Sequence, residues 1–178
     1  MHPASAPARP TVQALTMDTP REQIFDSYGE YRAALIGALE NAQQTVIVFD
    51  PDLRECGLES RQGIAQLERL CSQSTRRDTL RILLHSTTWL QQDCPRLTRL
   101  LSHYAHCASV RTADAGARIW SQPFLIADDC HLVTRFHQEL PRGKSSTDAA
   151  GSLTHLATQF ETFWMNGEAS AVGTPLDL

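Results

Sequence analysis

Asp50, His85, Arg111, Arg135 and His137 stand at or just beyond the ends of short apolar runs, with Asp52, Ser86 and Thr87 beside them. If those runs are strands of an open α/β sheet, these side chains meet beyond the carboxyl ends of the strands, where such sheets take their ligands. Two guanidinium groups and two imidazoles there can hold a phosphate or a carboxylate through charge-assisted hydrogen bonds of fixed geometry. The plainer alternative is a structural network in which the same groups pair with one another. Ser121 and Asp128 bracket a further apolar run and complete the set of ligand-binding candidates. Asp128 also has a local explanation, because Asp-Asp between two strands is ordinary turn chemistry.

Two other constellations carry less. His103 and His106 share a helix face and Cys107 follows, but no fourth ligand stands at a recognisable spacing, so no metal site is assigned. Gly143-Lys144-Ser145-Ser146 has the end of a phosphate-binding loop, yet position 138, where the upstream glycine belongs, is Gln138, and the segment reads as a flexible loop. No cofactor is implied.

The elements that must position these residues follow from hydrophobic periodicity. Ser27-Tyr28-Gly29-Glu30 has capping-box spacing, and Tyr31, Leu35, Ala38, Leu39 and Ala42 continue it at helical intervals, predicting a helix over 28–43. Thr45, Val46, Ile47, Val48 and Phe49 form a β-branched strand closed by Asp50-Pro51-Asp52. Ile64, Leu67, Leu70 and Cys71 predict a second helix, Leu80 to His85 a second strand, Leu97, Leu100, Leu101 and Tyr104 a third helix started by Pro95, and Ser109 to Thr112 a third strand. This alternation implies right-handed βαβ units and a largely parallel sheet with helices on both faces. A hairpin follows, with strands at 123–127 and 131–136, then a long polar loop over 138–151. The last helix starts at a Ser152 cap, carries Leu153, Leu156, Phe160 and Trp164 on one stripe, and stops at Asn166-Gly167. Phe160, Phe163 and Trp164 are expected in the core.

A chain of 178 residues fits one domain. Residues 1–23, rich in Pro, Ala, Ser and Thr, read as a disordered leader without signal-peptide pattern, 24–167 as the domain, and 168–178 as a flexible tail. The five cysteines are scattered, odd in number and without zinc spacing, which fits reduced thiols in the cytoplasm. No run approaches a membrane span. A formal charge of -4 and pI near 5.9 lead to the expectation of no bulk nucleic-acid binding and no membrane binding.

The order of elements over 25–164, with an Asp in the hairpin turn, resembles a single repeat of the phospholipase D/nuclease superfamily. In that family a motif HxKxxxxD opens the hairpin: the His attacks phosphorus, the Lys holds phosphate oxygens and the Asp ends the strand. Counted back from Asp128, the His position is Ser121 and the Lys position is Pro123; counted from Asp129, the positions are Gln122 and Phe124. Serine without an adjacent base is a poor nucleophile and proline carries no charge. The resemblance therefore implies an uncharacterised, non-catalytic phospholipase D-like domain that binds a phosphate-bearing ligand or a protein partner. Single-repeat members pair about a two-fold axis, which implies a homodimer. The alternative is a phosphodiesterase or nuclease with a relocated nucleophile, His131 or His137, supported by Arg135. A third possibility is a scaffold whose leader recruits a partner.

Overall fold

A computed structural model describes residues 22–147 and 150–172. In chain order the elements are β1 (Glu22–Phe25), α1 (Tyr28–Asn41), β2 (Val46–Asp50), α2 (Arg61–Ser72), β3 (Leu80–Leu84), α3 (Thr88–Asp93) and α4 (Pro95–His103). Then come β4 (Ala108–Thr112), α5 (Ala115–Arg118), β5 (Phe124–Ala127), β6 (His131–Arg135), β7 (Gly143–Thr147), α6 (Ala150–Asn166) and β8 (Glu168–Ala169).

Local chemistry starts the helices. The Ser27 hydroxyl accepts from the Glu30 amide at 3.2 Å while the Glu30 carboxylate accepts from the Ser27 amide at 3.2 Å, the reciprocal arrangement that the sequence spacing predicts. Ser60 accepts from the Gly63 amide to start α2, and Asp114 from the Ala117 amide to start α5. Pro95 occupies the first turn of α4, where its missing amide hydrogen costs nothing.

The eight strands form one sheet in the order β1-β7-β6-β5-β2-β3-β4-β8. Only β2–β3 and β3–β4 are parallel, and the remaining neighbours run antiparallel. The expectation of a largely parallel sheet is thus corrected. Parallel pairing is confined to the two places where a helical crossover carries the chain back, through α2 and through α3 with α4. Beyond β4 the chain turns along β5, β6 and β7 by short connections, which can join only antiparallel neighbours.

Helices do cover both faces. On one, Leu35 and Leu39 of α1, Leu67 of α2 and Leu97 and Leu101 of α4 bury Val46, Val48, Ile82 and Leu84. On the other, α6 lays Leu156, Phe160, Phe163 and Trp164 over Ile47, Phe49, Leu83 and Phe124. Phe49 sits 5.6 Å from Phe124 and 5.4 Å from Phe163 between ring centroids, so the second face is an aromatic layer. Phe160, Phe163 and Trp164 are core residues, as their spacing predicts.

Four segments differ from the sequence expectation. Residues 143–147, read as loop, form β7 between β1 and β6. Their polar side chains hide the strand, and Gly143 permits it: a Cβ there would meet the Thr134 carbonyl oxygen at 2.1 Å and the Phe25 ring at 2.7 Å. Glu22 and Gln23, assigned to the leader, belong to β1, and β8 and the buried Val172 fall in the assigned tail. The last helix is already formed at Ala150, ahead of the expected Ser152 cap. The expected disorder of the leader up to residue 21 and of the tail from 173 lies outside the described residues.

Candidate functional site

Register places the candidates along the sheet before any side chain is considered. Phe124 lies opposite Phe49 and Ala127 opposite Val46. Ser121 therefore belongs to the sheet end marked by Asp50 and His85, and Asp128 to the far end, where its amide donates to the Thr45 carbonyl at 2.9 Å. His131 starts β6 at the Asp128 end, and His137 follows β6 at the Asp50 end. The whole length of β6 and the bend after it separate the two imidazoles.

Alternation across the sheet divides the candidates again. Asp50 and Arg135 face α1, whereas His85 and Arg111 face the aromatic layer beneath α6, with the His85 ring 5.4 Å from Phe49 and the Arg111 guanidinium 4.7 Å from Trp164. The seven candidates thus fall into separate environments instead of one cleft.

Asp50 and Arg135 do meet. They form an ion pair at 3.5 Å with side-chain exposures of only 3% and 2%. Asp50 is committed on its other oxygen too, accepting from the amides of Leu53 at 2.7 Å and Asp52 at 3.1 Å. Those bonds hold a turn in which Leu53 takes a positive φ of 72°. Arg135 donates to the Gln138 carbonyl at 2.7 Å and lies 4.9 Å from the Tyr31 ring centroid and 5.7 Å from Tyr28. Burial pushes the Asp50 carboxyl upward, against the pull of the Leu53 amide and Arg135. Burial also pushes the neighbouring Cys56 thiol and Tyr31 hydroxyl well up, so neither supplies a second anion beside Asp50. A shallow pocket of about 290 Å³ opens above the pair, with Asp52 and Glu55 on its wall.

Arg111 is consumed by the chain itself: it donates to the Trp164 carbonyl at 2.6 Å and stacks on the Trp164 ring, closing the last turn of α6. Asp128 binds three main-chain amides, those of Gln43, Gln44 and Thr45, at 2.7, 2.8 and 2.9 Å. It fixes the connection from α1 into β2 while sitting in a left-handed turn with φ of 52°. Ser121 accepts through its carbonyl from the Gln138 amide at 2.7 Å, and His137 accepts at Nδ1 from the Glu139 amide at 3.2 Å. His85 is half-buried, its Nε2 has no hydrogen-bond partner, and its pKa is depressed by burial and by Arg118, with Asp52 opposing. The sequence places the ends of the strands correctly but carries no sign that Asp50 and Arg135 pair across β5, since 85 residues separate them.

The Gly143-Lys144-Ser145-Ser146 segment is a strand, with Lys144 paired to Glu22 at 2.9 Å, so it presents no phosphate loop. Cys107 is buried beside Cys71, while His103 and His106 flank the Tyr104 ring on the surface. Among the described residues no three His, Cys, Asp or Glu side chains group as metal ligands. None of the described helices is long and apolar enough to cross a membrane.

Residues 27–171 match the model of a family described as a domain of unknown function, DUF7931. No curated protein matches the chain significantly in sequence. Among solved structures the chain is similar to the archaeal chromatin protein TrmBL2, with 14% identity and a TM-score of 0.62 over 88% of this chain and 57% of that one. It is similar to NucT from Helicobacter pylori, with 12% identity and a TM-score of 0.60 over 85% of this chain and 100% of that one. It is also similar to Nuc from Salmonella typhimurium, a phospholipase D family member, with 11% identity and a TM-score of 0.58 over 85% and 99%. The fold is therefore a mixed α/β fold that resembles those of the phospholipase D/nuclease superfamily. The expected exclusion of nucleic acid is corrected by the first likeness, because TrmBL2 is described by a novel mode of DNA binding. Net charge sums over a whole surface and does not exclude a basic face on it.

Proposed function

The chain belongs to the DUF7931 family, and we propose that within it this domain is a non-catalytic phospholipase D-like module that binds a phosphate-bearing ligand. One observation carries the reading. At the sheet end where the superfamily motif would stand are Ser121 and Pro123, and the nearest buried cation, Arg135, is held by Asp50 and by main-chain carbonyls. A phosphoryl-transfer site needs a nucleophile with its base and a cation free to meet the phosphate. Neither need is met there.

A relocated nucleophile is less favoured. His131 and His137 occupy opposite ends of β6, and neither forms an ion pair among the described residues. The likeness to TrmBL2 supports nucleic acid as the phosphate-bearing partner, and the single repeat supports a homodimer. Sedimentation at high concentration should give the dimer, and monomer alone would remove that part of the proposal. Folded protein should hydrolyse a chromogenic phosphodiester no faster than buffer. Turnover that disappears in His137→Ala or His131→Ala would overturn the non-catalytic assignment.

A further inference from the structure

Most cations of the described residues are engaged by the chain itself. Arg32, Arg54, Arg81, Arg135, Arg142 and Lys144 are in ion pairs. Arg69, Arg111 and Arg118 donate to main-chain carbonyls. The guanidinium groups of Arg61, Arg76, Arg77, Arg96 and Arg99 do neither, and two of these five lie on one helix.

Arg96, Arg99 and His103 are spaced i, i+3 and i+7 along α4, so they share its outward face while Leu97, Leu100 and Leu101 turn inward. At 1.5 Å per residue they span about 10 Å, several times the spacing of phosphates along a duplex strand. Tyr104 stands at the end of this row, with His103 at 4.7 Å and His106 at 6.1 Å between ring centroids. Arginines in a row that end in a group of aromatic rings suit a nucleic-acid strand, the cations for the backbone and the rings for the bases. The row lines an open groove of about 440 Å³ between α2 and α4, in which Glu68 is the acidic side chain and Ile64 and Leu100 supply an apolar floor. Arg61, exposed and unpaired, begins α2 alongside.

We propose that the outward face of α4, with Arg96, Arg99, His103 and Tyr104, is a binding surface for single-stranded nucleic acid. It rests on the binding-module reading but uses none of the candidate residues at the strand ends. Binding there removes the need for Asp50, Arg135 or Arg111 to leave their partners. It also lets a chain of net charge -4 bind a polyanion through one face.

The test is fluorescence anisotropy of the full chain with a labelled single-stranded oligonucleotide, measured at several salt concentrations. Arg96→Ala/Arg99→Ala should weaken binding at least tenfold and reduce the slope of log K against log salt by about 1.4, roughly 0.7 per lost contact to a single strand. Tyr104→Leu should weaken binding with the salt slope unchanged. Arg76→Ala/Arg77→Ala, which removes the same charge from the loop before β3, should leave both quantities near wild type. The melting temperature of each arginine variant verifies folding. No binding by the wild-type chain at low salt, an unchanged Arg96→Ala/Arg99→Ala variant, or an equal loss in Arg76→Ala/Arg77→Ala would overturn the proposal. Phosphodiester turnover with the α4 face still binding would instead overturn the non-catalytic reading and leave this surface standing.

Discussion

Replacing Arg135 by methionine keeps most of the side-chain volume and removes the positive charge from a pair that is 2% and 3% exposed. The Asp50 carboxylate is then left with two amides and no cation, and breaking a buried pair this way costs about 3–5 kcal/mol. For a chain of this size each kcal/mol corresponds to roughly 2–4 °C, so the melting temperature should fall by about 6–20 °C. The reverse perturbation, Asp50→Asn, keeps an acceptor for the Leu53 and Asp52 amides but leaves Arg135 facing only carbonyls and tyrosine rings. Its cost should be similar in size, whereas the double variant Asp50→Asn/Arg135→Met contains no unpaired buried charge. Urea unfolding of the four proteins gives the coupling energy, and the double variant should be more stable than additivity predicts by about 2 kcal/mol. The pH dependence is a second check. Without Arg135 the Asp50 carboxyl titrates still higher in the folded state, so the deficit of Arg135→Met should shrink as pH falls and the carboxyl takes its proton. Additive single-variant costs, or a deficit in Arg135→Met that is the same at low and neutral pH, would refute a buried pair with a structural role.

Asp128→Ala removes the acceptor of three amides and should cost about 2–4 kcal/mol, measured by urea unfolding, while Asp128→Asn, which tolerates the left-handed turn, should cost less. Gly143→Ala puts a methyl group 2.1 Å from the Thr134 carbonyl and should separate β7 from β6, read as loss of hydrogen-exchange protection along both strands. His85 has a depressed pKa in the folded state, so its contribution to stability is complete above the unfolded value and is lost as pH falls through the folded one. His85→Phe should therefore flatten the decline of unfolding free energy below about pH 6.5.

The sequence shows those parts of the fold whose signals are local. The Ser27–Glu30 capping box, the β-branched run of β2, Pro95 at the start of α4 and the aromatic stripe of α6 each specify their element within a few residues, and each is found in place. What is not legible depends on distant neighbours. Gly143 to Thr147 is a strand because β1 and β6 flank it, and a run of Lys, Ser and Thr has no apolar alternation to announce that. The direction of the sheet is hidden for the same reason, since β5 pairs with β2 across most of the fold and local pattern does not reveal which way it runs. Of the site, position along the sheet is legible and face is not. Asp50 and His85 both close strands in the sequence, yet one faces α1 and the other the aromatic layer.

The division of the arginines has a physical cause that joins fold and function. In a sheet covered on both faces, a cation at a strand end is carried into a region of low water content and must find partners within the chain. Arg135 takes Asp50 and two carbonyls, and Arg111 takes the Trp164 carbonyl and ring. Each is thereby unable to meet a ligand without leaving its own chain unsatisfied. Arg96 and Arg99 stand on a helix whose apolar stripe is only one side wide, so their charges stay in water and cost no desolvation to keep unpaired. Cations left unengaged are thus found where the fold has no use for their charge, and two of them share the outside of α4. The strand-end cations that first suggest chemistry in the sequence are the ones that the fold has already engaged.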